Sequence, residues 1–173
     1  MVIDVVASRQ RHYQTQVKKI VSNYESEMDD LTLDFLAINP PEWLKLKKRE
    51  PETISLVAQA LVDYGRSINS QNDEETCAKW ALLNSGGLRN QSIDPFMKGV
   101  LDIWGIGEVL LEYLRLLCGA DTLKVDVRVM EHLQELGVPT ELFTPKGLLE
   151  VCRAISDRTE LSLAEIDQLL WNK

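Results

Sequence analysis

Long apolar runs are absent from this sequence. No uninterrupted apolar stretch approaches the roughly 18–20 residues that a membrane-crossing helix needs. The N-terminal stretch MVIDVVASRQRHYQ has only a short apolar run and an acid at Asp4, which is not the pattern of a secretory signal. The sequence therefore predicts a protein that does not cross a membrane and that resides in the cytoplasm.

Cysteine is scarce, and its spacing is wide. Cys77, Cys118 and Cys152 lie far apart, and no two cysteines have the CxxC spacing. Zinc sites and iron–sulfur clusters are typically marked by cysteine or histidine ligands clustered in the sequence. We therefore expect no metal site, no iron–sulfur cluster and no other cofactor, and we expect three buried, inert thiols.

Alternating apolar and polar residues, the pattern of a half-buried strand, are also missing over any useful length. Helical spacing is frequent instead, with proline, glycine and capping residues between about eight to ten short segments. One such helix is predicted to open at Pro51 and to end at Gly65. With 173 residues, the chain is long enough for one ordinary domain. We predict an all-α fold in which residues 1–50 form N-terminal helices and a basic linker that pack on a core domain of residues 51–173.

The sequence contains more acid than base, with a net charge of −8 and a pI of about 4.8. Phosphate contacts supply most of the non-specific affinity of a protein for nucleic acid, so this charge weighs against such a partner. The densest basic cluster is the segment of Lys45, Lys47, Lys48 and Arg49. Its pattern is compatible with a solvated face or with a patch that contacts phosphates.

Residues 101–136 contain the one specific functional pattern. A short helix leads to a Gly105-Ile106-Gly107 turn, and a long apolar helix follows. Glycine lets the backbone turn tightly, and the outward amides at the start of a helix favour an anion. We expect these three residues to bind a DNA phosphate without a basic side chain. Since the helix at residues 108–118 is apolar all round, we expect it to be buried on most sides.

About twenty residues downstream of the turn, Asp126 stands between two valines at the start of another helix. This Val-Asp-Val-Arg-Val segment, together with the turn and the apolar helix, resembles the helix–hairpin–helix DNA glycosylase superfamily. The resemblance covers roughly residues 98–173, including a closing helix at residues 161–171, and is suggestive for residues 52–66. It implies a helix–hairpin–helix glycosylase-like helical domain that acts on double-stranded DNA in base excision repair.

In that family the aspartate of this segment is the catalytic carboxylate, and it corresponds to Asp126. Breaking a nucleobase–sugar bond builds positive charge on the sugar, which a carboxylate can stabilise while it takes a proton from water. The damaged base must first leave the stack, so an aromatic-lined pocket is expected. Trp43, Tyr64 and Trp80 are the candidates, although each could be a core residue. Asp126 could equally be a helix N-cap, and the two roles are compatible.

The sequence departs from the family at several points. Bifunctional members form a Schiff base through a lysine in the hairpin helix, where this chain has Val109, so a monofunctional glycosylase is implied. Glu108 follows the turn and would repel a phosphate. Residues 61–66 do not match the glutamine-rich end of the family's first core helix. The alternatives are a non-catalytic helix–hairpin–helix protein that binds nucleic acid, another protein or a second copy of itself, and a plain helical protein with a coincidental motif.

Overall fold

The computed structural model describes residues 1–86 and 92–171, and these residues form helices and no strand, which confirms the predicted all-α class. The α-helices within these ranges are α1 (Val2–Ala7), α2 (Lys18–Glu27), α3 (Leu33–Ile38), α4 (Glu50–Ser67), α5 (Asp73–Ala81), α6 (Pro95–Leu101), α7 (Glu108–Leu117), α8 (Val127–Glu135), α9 (Pro145–Thr159) and α10 (Leu163–Trp171). A π-helical segment, Tyr13–Val17, precedes α2, and a 3-10 turn, Thr140–Leu142, follows α8. None of the described helices is long and apolar enough to span a bilayer.

The buried side chains form two apolar clusters. The larger cluster draws on α1 to α7 and ends at Ala120, and the smaller one draws on α8 to α10 and begins at Leu123. The division between the two clusters therefore falls after Ala120. The first helix, α1, packs directly against α4 and α7, so the N-terminal helices contribute to the larger cluster.

Capping side chains begin several of these helices. Asp94 and Thr144 each precede a proline at the first helical position, and each accepts a hydrogen bond from a backbone N–H of the first turn. Asn72 caps α5 in the same way. Ser162 and Glu165 exchange hydrogen bonds at the start of α10, which is a capping box.

Gly65 does not end α4, contrary to the prediction. The helix continues to Ser67, and Gly65 is buried where α4 crosses α5. A Cβ atom at this position would lie 2.6 Å from Oγ1 of Thr76 and 3.0 Å from its Cγ2. Because Gly65 has no side chain, α4 and α5 can approach each other closely at this point. The glycine serves this contact and does not mark the end of the helix.

Replacing Gly65 with alanine is expected to lower the free energy of unfolding by about 1–3 kcal/mol, because the added methyl group overpacks the contact with Thr76. Gly99 of α6 is the matched control, since a Cβ atom there meets no other atom within 4 Å. Gly99→Ala should raise stability by up to about 1 kcal/mol, the difference in helix propensity. Urea unfolding of both variants checks this, and shifts of the same sign would contradict it.

The helix α7 is less buried than the sequence predicts. Leu111 and Leu114 are buried, but Leu117 is 41% exposed and most other apolar side chains are half-buried. The reason is that α7 borders open clefts: Val109 and Leu110 line one near its start, and Leu117 lines another at its end. The exposed start of α7 is where the candidate site lies.

Candidate functional site

In the turn between α6 and α7, the backbone conformation requires glycine at Gly105 but not at Gly107. Gly105 has a φ of +87°, a conformation that side chains other than glycine rarely adopt. Gly107 has extended backbone and open space around its Cα, and it is the N-cap of α7. The amide of Ile106 donates to the carbonyl of Ile103 (3.0 Å), so it does not point outward as predicted. An anion at this turn would therefore meet the amides of Gly107 and Glu108.

Two guanidinium groups lie over the indole of Trp104, the residue that precedes Gly105. Trp104 as a whole residue is 49% exposed, and the centroid of its ring lies 4.6 Å from Cζ of Arg9 and 4.9 Å from Cζ of Arg49. The hydroxyl of Thr53 donates to the carbonyl of Trp104 (3.0 Å) and so fixes the turn to α4. These contacts bring the predicted basic segment beside the predicted phosphate-binding turn.

The other members of the basic segment are exposed to solvent. Lys45, Lys47 and Lys48 are exposed, and Nζ of Lys47 donates to the side chain of Gln10 (2.9 Å). Lys47 and Lys48 share a shallow groove with Glu52, which offsets part of their charge. Sequence reasoning found this segment but missed Arg9, because no local pattern marks a single arginine as the partner of a distant tryptophan.

Asp126 combines the two roles that the sequence left open to it. Its Oδ1 accepts a hydrogen bond from the amide of Val129 (3.1 Å), which makes it the N-cap of α8. Its Oδ2 lies 3.6 Å from Nζ of Lys124. The side chain is 24% exposed and lines a cleft of about 660 Å³, which we call the Asp126 cleft. The carboxylate therefore keeps one oxygen that is not used for capping.

The Asp126 cleft is basic, although the protein as a whole is acidic. Residues 8–14 form one side of it, the end of α10 and the first turns of α8 form another, and α7 contributes Val109 and Leu110. Its charged and histidine side chains are those of Arg9, Arg11, His12, Lys124, Asp126, Arg128, Glu131 and His132. Basic side chains therefore outnumber carboxylates in a protein whose net charge is −8.

The aromatic residues of this cleft are Tyr13 and Trp171. Their rings meet edge to face, with centroids 5.6 Å apart, and the guanidinium of Arg128 lies 4.7 Å from the centroid of Trp171. Both rings line the cleft together with Asp126. No sequence pattern marks this pair, because it joins the beginning of the chain to the end of α10.

The three aromatic residues proposed from the sequence as a base pocket do not line this cleft. Trp80 is fully buried in the larger cluster, and Tyr64 is buried with its ring against that of Phe96. Trp43 is half-exposed, but it stacks on Tyr24 within the N-terminal helices. The prediction of Trp43, Tyr64 and Trp80 as pocket residues is therefore corrected, and core packing accounts for the two buried rings.

Lys124 is a buried cation next to the candidate carboxylate. Its side chain is only 7% exposed, its Nζ donates to Oγ of Ser8 (3.3 Å), and it lies 4.1 Å from the ring centroid of Tyr113. Burial lowers the pKa of Lys124, while the nearby carboxylates of Asp126 and Asp4 act in the opposite direction. Sequence reasoning missed this residue, although it stands two positions before Asp126.

A hydrogen-bonded network behind the cleft holds these groups in place. Asp4 accepts from the hydroxyls of Tyr13 (2.9 Å) and Tyr113 (2.8 Å), and burial together with Asp4 raises the pKa of Tyr113. The carboxylate of Asp167 accepts from the amide of Lys124 (2.9 Å), and burial raises the pKa of Asp167. The segment that contains Lys124 and Asp126 is thus fixed to α10 through the backbone and to α1 and α7 through side chains.

The two residues at the start of α7 face different cavities. Glu108 lines a separate pocket of about 310 Å³ near Glu112 and Arg153, and it does not line the Asp126 cleft. Val109 lines both. The negative charge of Glu108 therefore lies mainly on the side of α7 that faces away from the Asp126 cleft.

The three cysteines are buried and free, as predicted. Within residues 1–86 and 92–171, no group of three or more histidine, cysteine or acidic side chains is arranged to hold a metal ion. Comparisons of the chain with protein-family models, with curated proteins and with solved structures find no match.

Proposed function

We propose that this protein is a helix–hairpin–helix DNA glycosylase that hydrolyses the N-glycosidic bond of a flipped, damaged base, with Asp126 as its catalytic carboxylate. The observation that carries the proposal is the position of Arg9. Its guanidinium lies over Trp104 at the turn, and the same residue lines the Asp126 cleft. A DNA backbone bound at the turn would therefore reach the cleft that contains the carboxylate.

The phosphate contacts of this proposal come from a local basic surface. Arg9 and Arg49 lie over Trp104 at the turn, Lys47 contacts Gln10 beside Arg9, and α7 begins at the turn with its first amides. Electrostatic attraction acts over roughly 10 Å at ordinary ionic strength, so this local charge matters more to a bound phosphate than the net charge of −8.

The flipped base would enter the Asp126 cleft. A volume of about 660 Å³ is typical of small-molecule sites, which span about 300–1,000 Å³. Tyr13 and Trp171 supply aromatic surface, and enzymes that act on flipped bases commonly stack them against aromatic side chains. We therefore propose this pair as the base-binding aromatics.

Asp126 can assist hydrolysis of the N-glycosidic bond because only one of its two carboxylate oxygens caps α8. While Oδ1 holds the start of α8, Oδ2 is available to stabilise the positive charge that develops on the sugar or to accept a proton from the attacking water. The start of α7 supplies Val109 rather than an amine, so hydrolysis does not depend on a covalent intermediate with that position.

The direct test is base release from a panel of duplexes, each with one damaged or mismatched base, at a protein concentration that saturates the DNA. Release of at least one base well above the rate without protein is expected. If the folded protein binds these duplexes and releases no base from any of them, the glycosylase proposal is wrong.

DNA affinity should depend on Arg9 and Arg49. Each change to alanine is expected to weaken binding of a short duplex and to reduce the slope of log K against log salt by about 0.9 for each phosphate that the variant no longer neutralises. Fluorescence anisotropy at several salt concentrations measures both quantities. Arg66→Ala is the control, because Arg66 is an exposed arginine of α4 that pairs with Asp34. Equal effects of all three changes would contradict the assigned surface.

The second candidate function is non-catalytic binding of nucleic acid or of another protein by the same fold. Two observations favour it: the overall acidity of the chain, which favours a protein partner over a nucleic acid, and the ion pair of Asp126 with the buried Lys124, which is an ordinary structural arrangement. This candidate predicts binding without base release. The panel of duplexes therefore separates the two functions.

A further inference from the structure

The Asp126 cleft contains a second group with reactive potential, the amine of Lys124. We propose that Nζ of Lys124 forms a covalent imine with the C1′ aldehyde of an abasic deoxyribose bound in the cleft. This inference rests on the proposed function, because it requires DNA in the cleft and because base release is the reaction that leaves an abasic sugar there.

The position of the amine supports this assignment. Nζ of Lys124 lies 3.6 Å from Oδ2 of Asp126, the oxygen that is not used for capping, so any sugar within reach of the carboxylate is close to the amine. Lys124 lines the same cleft as Asp126, Val109 and the Tyr13–Trp171 pair. An amine is therefore present in this cleft even though the start of α7 has valine.

The surroundings favour an amine that is neutral for part of the time. A lysine must lose its proton before it can attack a carbonyl, and desolvation makes that loss easier. Burial is the largest influence on the pKa of Lys124 and lowers it. The groups that face it are Asp126 before α8, Asp4 of α1, Asp167 of α10 and the ring of Tyr113 of α7, and the three carboxylates limit the shift.

The reaction is balanced without a cofactor. The neutral amine of Lys124 adds to the aldehyde carbon: a carbon–nitrogen bond forms, the carbon–oxygen double bond becomes a single bond, and a proton moves from the nitrogen to the oxygen to give a hydroxyl. With one further proton from solvent, the carbon–oxygen bond breaks, the hydroxyl leaves as water, and the protonated imine remains. The carboxylate of Asp126, 3.6 Å from the nitrogen, would stabilise this cation as it stabilises the lysine ammonium group.

The test is reductive trapping. The protein is incubated with a duplex that carries one abasic site in the presence of sodium cyanoborohydride, which reduces an imine to a stable amine. A cross-linked species is expected, and peptide mass spectrometry should locate the link at Lys124. Lys124→Arg keeps a positive charge but cannot form an imine, so it should lower the yield at least tenfold. Lys79→Arg, at an exposed lysine of α5 paired with Glu75, should trap as the unchanged protein does.

Binding to a duplex with a tetrahydrofuran abasic analogue, which lacks the aldehyde, is measured in parallel. If the protein binds this duplex but gives no cross-link, or if the link lies at another amine, the imine proposal is overturned while the glycosylase proposal stands. If Lys124→Arg fails to fold, the location of the link in the unchanged protein still decides the question. Trapping at Lys124 without base release from any damaged duplex would support the imine proposal and count against the glycosylase. Absence of binding would overturn both.

Discussion

Asp126→Asn is expected to slow base release about 10²–10⁴-fold, the usual contribution of a positioned acid–base group. Asparagine is as good an N-cap as aspartate, so the hydrogen bond to the amide of Val129 is retained. The change therefore removes the negative charge at Oδ2 while the start of α8 is preserved. The change also leaves the buried ammonium group of Lys124 without this carboxylate, so we expect the free energy of unfolding to fall by about 1–3 kcal/mol.

Single-turnover base release measures the first quantity, and urea unfolding measures the second. Asp94→Asn is the matched control, because Asp94 caps α6 in the same manner but does not line the Asp126 cleft. It should change neither quantity appreciably. If Asp126→Asn releases the base as fast as the unchanged protein, Asp126 is a structural cap and not the catalytic carboxylate.

Arg11→Met is expected to lower the free energy of unfolding by about 3–5 kcal/mol, the typical cost of breaking a buried ion pair from one side. The guanidinium of Arg11 contacts both carboxylate oxygens of Glu50, at 2.9 and 2.7 Å, and Glu50 is only 1% exposed. Methionine fills similar space but leaves a buried carboxylate whose remaining partner is the amide of Lys47. This would be among the largest effects of a single substitution in the protein.

Urea unfolding of three further variants tests the reason for this effect. The double change Arg11→Met with Glu50→Leu should recover at least half of the stability, because replacing both partners of a buried pair with apolar residues is often close to neutral. Arg66→Met removes an exposed ion pair with Asp34 and should cost at most about 1 kcal/mol. Glu50→Leu alone should also be costly, because it leaves Arg11 without its carboxylate. A decrease of under about 1 kcal/mol for Arg11→Met would show that the buried pair contributes little.

The elements of this fold could be predicted from the sequence where their signals are local. Asp94 and Thr144 each stand before a proline and cap the helix that follows, because side chain, backbone and proline lie within one turn. The prediction of a helix end at Gly65 is wrong for the opposite reason. The role of this glycine depends on Thr76, which belongs to the next helix, and no pattern within α4 reveals which residue crosses it.

The same distinction between local patterns and contacts of distant residues applies to the candidate site. The turn with Gly105 and the capping position of Asp126 follow from short patterns, and both lie where those patterns indicate. The aromatic side of the cleft could not be predicted, because Tyr13 and Trp171 meet only in the folded chain. The same reason applies to Arg9. Its place depends on a contact with Trp104, far along the chain.

The contact between Tyr13 and Trp171 affects the order in which the turn and the Asp126 cleft form during synthesis of the chain. A ribosome delivers the chain from its N-terminus, and the part already made can fold before the rest is complete. The turn at Gly105 and the capping aspartate emerge well before α10, but the cleft has its second aromatic ring only when residue 171 has left the ribosome. A nascent chain can therefore present the turn without the completed cleft, so under the proposed function it could hold DNA before it could act on a base.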